Sequence, residues 1–125
     1  MDEDKLQSLI DGHPQLFHGR GPEVESYVYP GWYPLLDHLC GEIERLLTQE
    51  ETKRFKWLQI KQKFGELRLY FRSDRRDEVQ KLVSQAEKAS QTICQVCGSH
   101  GRIRDDKGYF AVRCDKHTPQ RAKGY

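Results

Sequence analysis

Residues 93–117, ICQVCGSHGRIRDDKGYFAVRCDKH, decide how the C-terminal part of this chain folds. Cys94 and Cys97 form a C-x2-C pair, and after sixteen intervening residues Cys114 and His117 form a C-x2-H pair. Each pair places two ligand atoms on one side of a tight turn, so the two pairs can complete a tetrahedron around Zn²⁺. Because protein groups would fill all four positions, the pattern predicts a structural zinc ion whose binding stabilises the fold.

Two alternatives to this ligand set stay open at the level of sequence. A redox-active dithiol, or the chance spacing of buried cysteines, would explain the first pair taken alone, but the second pair favours zinc. His100 lies close to the first pair and is the alternative to His117 as the fourth ligand. We expect Cys40 to lie outside the site, since it falls on the apolar side of a predicted helix.

The segment between the two pairs predicts a small hairpin with its turn at residues 105–108. Residues 115–117 then favour the start of a short helical turn. A cysteine knuckle, a hairpin and a helical start are together typical of a treble-clef or ribbon-type zinc module. We assign this module to residues 94–125.

Upstream of the module, the apolar periodicity predicts an α+β domain over residues 1–93. PLLDHLCGEIERLL (34–47) and residues 75–92 have helical spacing, whereas KWLQIKQ (56–62) and ELRLYFR (66–72) alternate as strands do. Residues 4–10 favour a short helical turn, and residues 24–29 are a candidate third strand. We therefore expect an antiparallel β-hairpin or small sheet packed on two helices, with the zinc module continuous with the second helix.

Charge and composition narrow the class of protein. The first fifty residues contain three Lys or Arg and ten Asp or Glu, whereas the remaining residues contain eighteen and nine. This asymmetry is consistent with a basic face that binds nucleic acid or an acidic protein. The alternative is that the two halves attract each other within one fold. The sequence has neither an apolar run of membrane-spanning length nor a signal-peptide pattern, so we expect a cytoplasmic protein with reduced thiols.

The sequence predicts no catalytic residues. It contains no Ser/His/Asp arrangement, phosphate-binding glycine loop or dinucleotide signature. Some nucleases of the histidine–asparagine–histidine type are built on zinc-bound treble clefs, but they need a histidine base on the hairpin. Here His100 is the sole histidine near that hairpin apart from the predicted ligand, and Asp105 and Asp106 are better explained as turn residues.

Two sets of residues are candidate partner-binding sites. Strand alternation places Trp57, Arg68, Tyr70 and Arg72 on the side of the hairpin that faces away from the core, where rings can stack on bases and cations can neutralise phosphates. Trp32, within SYVYPGWYP (26–34), is the candidate anchor for a protein partner. For Trp57 and Tyr70 the alternative is that the aromatic segment 27–33 covers them, and for Trp32 it is a place in a small core.

The chain resembles a family of small proteins that are common in bacteriophages and prophages. The resemblance is carried by GWYPLLDHLC (31–40), KQKFGELRLY (61–70), AEKASQTICQVCGSHGR (86–102) and CDKH (114–117). It implies a phage or prophage setting and a bound zinc ion, but no particular activity. By analogy we expect a non-enzymatic binding protein that engages a host or phage protein complex, for example as an anti-defence inhibitor. A nucleic-acid-binding accessory protein is the alternative.

Overall fold

The computed structural model describes residues 4–106 and 108–118 of the chain. Residues 1–3 of the predicted first domain, Lys107 of the predicted turn and residues 119–125 of the predicted zinc module lie outside the described residues. The described part is an α+β fold with two small antiparallel sheets, which confirms the fold class expected from the sequence. Over the same residues, no helix has the length and apolar character that crossing a membrane requires.

Two long helices form one side of the core, as the apolar periodicity predicts. The first begins with Pro34 in its opening turn, where the missing N–H breaks no helical hydrogen bond. It packs on the second long helix, and its buried leucines and Ile43 belong to the same apolar cluster as Val79 and Val83 of that helix. In chain order the helices are α1 (Leu6–Gly12), α2 (Pro14–Phe17), α3 (Tyr33–Leu46), α4 (Gln49–Arg54) and α5 (Arg76–Ser90).

Two antiparallel hairpins complete the architecture. β1 (Lys56–Lys63) pairs with β2 (Glu66–Arg72), and β3 (Arg102–Asp106) pairs with β4 (Tyr109–Arg113). The inner face of the β1–β2 hairpin closes the core opposite α3 and α5. Val112 of β4 is fully buried and belongs to the same apolar cluster, so the second hairpin is joined to the main core.

The candidate third strand, residues 24–29, does not form a strand, although residues 23–27 lie beside β1. This segment runs along the edge of β1 that faces away from β2. The N–H groups of Val24 and Tyr27 donate to the carbonyls of Leu58 and Ile60 at 2.8 and 3.0 Å. The backbone is irregular between these contacts, so the segment covers the edge of β1 without continuing the sheet.

The prediction that Trp57 lies on the exposed side of the hairpin is wrong. The pairing register shifts between Trp57 and Gln59, which marks a β-bulge. The additional residue at the bulge turns both Trp57 and Ile60 toward the core. Trp57 is only 2% exposed, and its ring centroid lies 5.2 Å from that of Phe55 and 6.4 Å from that of Phe71.

Trp32 is buried as well, so it offers no surface anchor to a partner. A single 3-10 turn, Pro30–Trp32, leads into α3 and points the indole inward. The side chain is 1% exposed, and its Nε1–H donates to the carbonyl of Ile93 at 2.8 Å. This hydrogen bond joins the start of α3 to the residue just before the first cysteine ligand.

Candidate metal centre

The four predicted ligands come together in the structure. One ligand atom from each of Cys94, Cys97, Cys114 and His117 lies within 4.8 Å of the others. The Sγ atoms of Cys97 and Cys114 are 3.7 Å apart, and His117 Nδ1 is 3.2 Å from Cys114 Sγ and 3.8 Å from Cys94 Sγ. Metal bonds of about 2.3 Å to sulfur and about 2.0 Å to nitrogen, arranged tetrahedrally, require ligand atoms about 3.5–3.8 Å apart. The cluster therefore fits a four-coordinate metal ion.

The backbone positions the first pair of ligands through a closed turn. The carbonyl of Cys94 accepts the N–H of Gly98 at 2.8 Å, and the N–H of Cys94 donates to the carbonyl of Ser99 at 2.7 Å. Gly98 has φ +85°, a backbone conformation that a residue with a side chain rarely adopts. The turn leaves Cys94 buried and Cys97 exposed, so the metal would be reached from the Cys97 side.

A short second element supplies the remaining ligands. β4 ends at Arg113, and the single 3-10 turn Asp115–His117 follows Cys114 directly. The N–H of His117 donates to the carbonyl of Cys114 at 3.1 Å. This hydrogen bond folds the imidazole of His117 back toward Cys114 Sγ. Because β3 and β4 pair over five residues, this second pair of ligands is held opposite the first.

Gln95 is a buried structural residue that the sequence analysis did not identify. It is 2% exposed, and its Oε1 accepts the N–H of Val112 at 3.1 Å. Its own N–H donates to the carbonyl of Val112 at 2.8 Å, so the knuckle and β4 are joined by two hydrogen bonds. The burial of Gln95 could not be inferred from the sequence, because its hydrogen-bond partner Val112 lies seventeen residues away.

The thiols differ in their electrostatic surroundings. The hydroxyl of Ser99, followed by its backbone N–H, stabilises the Cys97 thiolate and lowers the pKa of Cys97 to about 6. Burial raises the pKa of Cys114, whose sulfur lies 3.7 Å away. Ionising two adjacent thiols is unfavourable, because the two negative charges repel each other. A divalent cation between the sulfurs allows both to be thiolates.

Arginines surround the site and can offset the −1 charge of three thiolates on a divalent ion. Arg113 Nη1 donates to the carbonyl of His117 at 3.2 Å. Arg104 donates through Nη2 to Asp115 Oδ1 at 2.8 Å and through Nε to the carbonyl of Arg113 at 3.3 Å. These contacts fix the strand end and the 3-10 turn around the ligands.

The alternative ligand His100 lies outside the cluster. Among the described residues, the group that could hold a metal contains His117 and not His100. His100 is exposed and forms an isolated β-bridge with Ile93, which directs it to the rim of a cleft beside Arg102 and Cys114. The structure thus offers the ion three cysteines and His117. Cys40 is buried in α3 and does not belong to this cluster, and burial raises the pKa of its thiol.

The remaining predicted partner-binding residues lie on one side of the β1–β2 hairpin. Arg68, Tyr70 and Arg72 alternate along β2 with the buried residues that face the core. We call this side the outer face and define it by four cross-strand pairs. They are Lys56–Arg72, Gln59–Tyr70, Lys61–Arg68 and Lys63–Glu66. The outer face thus carries five lysines or arginines and a single glutamate, with Tyr70 42% exposed among them.

Comparison of the chain with protein-family models, with curated proteins and with solved structures finds no match. The assignment of function therefore depends on the metal centre and on the outer face.

Proposed function

We propose that this chain is a zinc-stabilised protein that binds nucleic acid through the outer face and catalyses no reaction. The observation that carries the proposal is the cross-strand pairing of like charges, Lys56 with Arg72 and Lys61 with Arg68. Like charges directly opposite each other destabilise a hairpin. Lys56 also pairs with Glu23 at 3.2 Å and Arg68 with Glu66 at 3.1 Å, so each pair keeps one cation, Arg72 or Lys61, outside these two ion pairs. A polyanion bound across both pairs relieves that repulsion, and its phosphates gain the cations that neutralise them.

The metal site supports a structural role for the ion, and its donors support zinc. Thiolates with an imidazole suit Zn²⁺ better than hard cations such as Mg²⁺. Four protein ligands leave no coordination position for a water or substrate, which is the arrangement of structural sites. The knuckle, the β3–β4 hairpin and the terminal 3-10 turn further lead us to infer a treble-clef-like module.

A host or phage protein complex, suggested by the resemblance to phage proteins, is the other partner we considered. Burial of Trp32 leaves that proposal without the aromatic anchor predicted for a protein partner, whereas burial of Trp57 removes one of the two rings predicted to stack on bases and leaves Tyr70. An extended peptide that adds a strand to a sheet needs a free edge. Here residues 23–27 cover β1, while Glu87 and Ser90 of α5 accept the outward N–H groups of β2 residues at 2.9 and 3.4 Å. A phage setting is proposed on the resemblance alone.

Binding of fluorescently labelled 20-nucleotide probes, measured by anisotropy over a range of salt concentrations, tests the proposal. We expect binding of a single strand or a duplex that weakens as salt rises. Arg68→Ala combined with Arg72→Ala should weaken it about tenfold or more. It should also reduce the slope of log K against log [salt] by about 0.7–0.9 for each lost phosphate contact.

The matched control removes two exposed cations of α5, Arg76→Ala with Lys81→Ala, and should leave affinity and slope nearly unchanged. Because Arg68 Nε is buried, Lys63→Ala on the exposed hairpin end serves as a second outer-face variant that does not disturb packing. Equal loss from the α5 pair and the outer-face variants would contradict the proposal, as would absence of nucleic-acid binding. Capture of polyglutamate but not of either probe would assign the outer face to an acidic protein.

A further inference from the structure

Building on the proposed function, we infer that the outer face is specific for single-stranded nucleic acid, whose unpaired bases stack on Tyr70 and Phe64. Phe64 lies at the tip of the β1–β2 hairpin and is 63% exposed, an unusual position for a phenylalanine. Together with Tyr70 it places a ring in the middle of the basic surface and a second ring at its end.

Each of these rings has a lysine beside it, in a unit that occurs twice along the hairpin. Lys61 Nζ is 5.8 Å from the centroid of the Tyr70 ring, and Lys63 Nζ is 5.8 Å from the centroid of the Phe64 ring. An ammonium next to a ring suits a nucleotide, because the base can cover the ring while the phosphate meets the cation. The two lysines are two residues apart on the same strand, so they stand about 6.6 Å apart, close to the step between phosphates of an extended single strand.

The backbone at Phe64 supports a role for this ring outside the fold. Phe64 has φ +53° and Gly65 has φ +84°, the pattern of a type I′ turn. Asn, Asp or Gly are the favoured residues at the first of these positions, whereas a bulky side chain there crowds its own backbone. An exposed phenylalanine in this conformation gains little burial in return. The Phe110 ring supports it from one side, at 6.0 Å between centroids and nearly perpendicular.

The long helix α5 does not provide the basic surface that recognition of a duplex would need. Recognition of double-stranded DNA commonly uses a basic helix in the major groove. α5 is the longest described helix, and its exposed side mixes Asp77 and Glu78 with Lys81 and Lys88. Exposed rings on a strand and at a hairpin turn instead match unpaired bases, whose faces are accessible. The duplex is therefore the weaker ligand.

The test compares a (dT)15 strand with a 15-base-pair duplex of mixed sequence, using the full chain with its metal bound. We expect the single strand to bind at least tenfold more tightly than the duplex. Tyr70→Ala and Phe64→Asn should each weaken binding of the single strand about tenfold, in line with the loss of one stacked base, and leave binding of the duplex almost unchanged.

Two further variants separate stacking from effects on folding. Phe64→Asn introduces the residue that the turn favours, so its melting temperature should equal or exceed that of the parent chain while its affinity falls. Tyr70→Phe keeps the ring and should keep the affinity. Tyr109→Ala removes a ring that is 81% exposed on the other hairpin and should have no effect.

The outcomes distinguish this inference from the proposed function. Tight, salt-dependent binding of the duplex that equals or exceeds binding of the single strand, with the ring variants unaffected, would overturn the inference but leave nucleic-acid binding intact. Absence of binding to both probes would overturn both.

Discussion

Gly31 shows how one residue without a side chain joins the metal module to the rest of the fold. Its N–H donates to the carbonyl of Gln95 at 2.8 Å, so the turn before α3 lies directly against the cysteine knuckle. A Cβ atom at this position would lie 1.9 Å from the carbonyl oxygen of Cys94 and 2.7 Å from Gly98 N. Both neighbours are backbone atoms, which cannot rotate away as a side chain can.

The substitution Gly31→Ala should therefore destabilise the protein strongly. We expect the free energy of unfolding to fall by about 3 kcal/mol, since overpacking against backbone forces the knuckle to move. The measurement is urea denaturation followed by fluorescence of the buried tryptophans, with metal content determined on the same sample. Gly41→Ala is the control, because its Cβ would meet only the end of Arg45 at 3.6 Å and alanine favours the helix interior by up to about 1 kcal/mol. Similar stabilities for the two variants would contradict the close packing at Gly31.

At the scale of elements, the strength of sequence patterns decided what could be predicted. α3 and α5 repeat apolar residues over several turns, and both are confirmed with bounds that agree to one or two residues. The bulge in β1 could not be predicted, because KWLQIKQ alternates regularly and Trp57 is turned inward by its fit against Phe17, Phe55 and Phe71. α4 has only six residues, and its signal is a cap rather than a periodicity.

That cap is a reciprocal pair of hydrogen bonds at the start of α4. Thr48 Oγ1 accepts the N–H of Glu51 at 3.1 Å, and Glu51 Oε1 accepts the N–H of Thr48 at 2.9 Å. The N–H of Thr48, followed by the guanidinium of Arg75, lowers the pKa of Glu51 below its usual value. Glu51 thus ties α4 both to its own first turn and to the residue that precedes α5.

Acidification should weaken this cap. Because the pKa of Glu51 is lower in the folded than in the unfolded chain, its stabilising effect is complete above the unfolded pKa of about 4.5 and is lost as pH falls through the lower, folded value. The melting temperature of the parent chain should exceed that of Glu51→Gln near neutral pH, and the difference should shrink steadily below pH 4.5. Calorimetry of both proteins measures it, with Glu50→Gln, on the exposed side of α4, as the control. A difference that stays constant with pH would show that the charge of Glu51 has no role.

For the whole molecule, the four residues that cluster as candidate metal ligands could be predicted from the sequence, but the contacts that join them to the core could not. The spacing of Cys94, Cys97, Cys114 and His117 reflects local geometry, which a pattern can reveal. The hydrogen bond from Trp32 to Ile93 links residues sixty-one positions apart, and Gln62 Nε2 donates to the carbonyl of Phe110 at 3.1 Å across forty-eight positions. Neither pair has a signature in one sequence, since each depends on the packing of the whole chain.

These long-range contacts predict how far the effect of metal removal spreads. Treatment with a strong chelator should abolish hydrogen-exchange protection over residues 94–117, because the binding energy of the ion is the folding energy of this segment. Protection should also fall at the N–H of Gly31, which donates to the carbonyl of Gln95, and at the indole N–H of Trp32, which donates to the carbonyl of Ile93. Helix α3 and the β1–β2 pairing should keep their protection. Cys97→Ala should reproduce the pattern and lose stoichiometric metal. Cys40→Ala, which removes a buried thiol outside the cluster, should retain one metal ion per chain.

Full protection of residues 94–117 after metal removal would rule out a structural ion at this site. Protection lost only within the module would show that the contacts through Gly31 and Trp32 do not couple the module to the core.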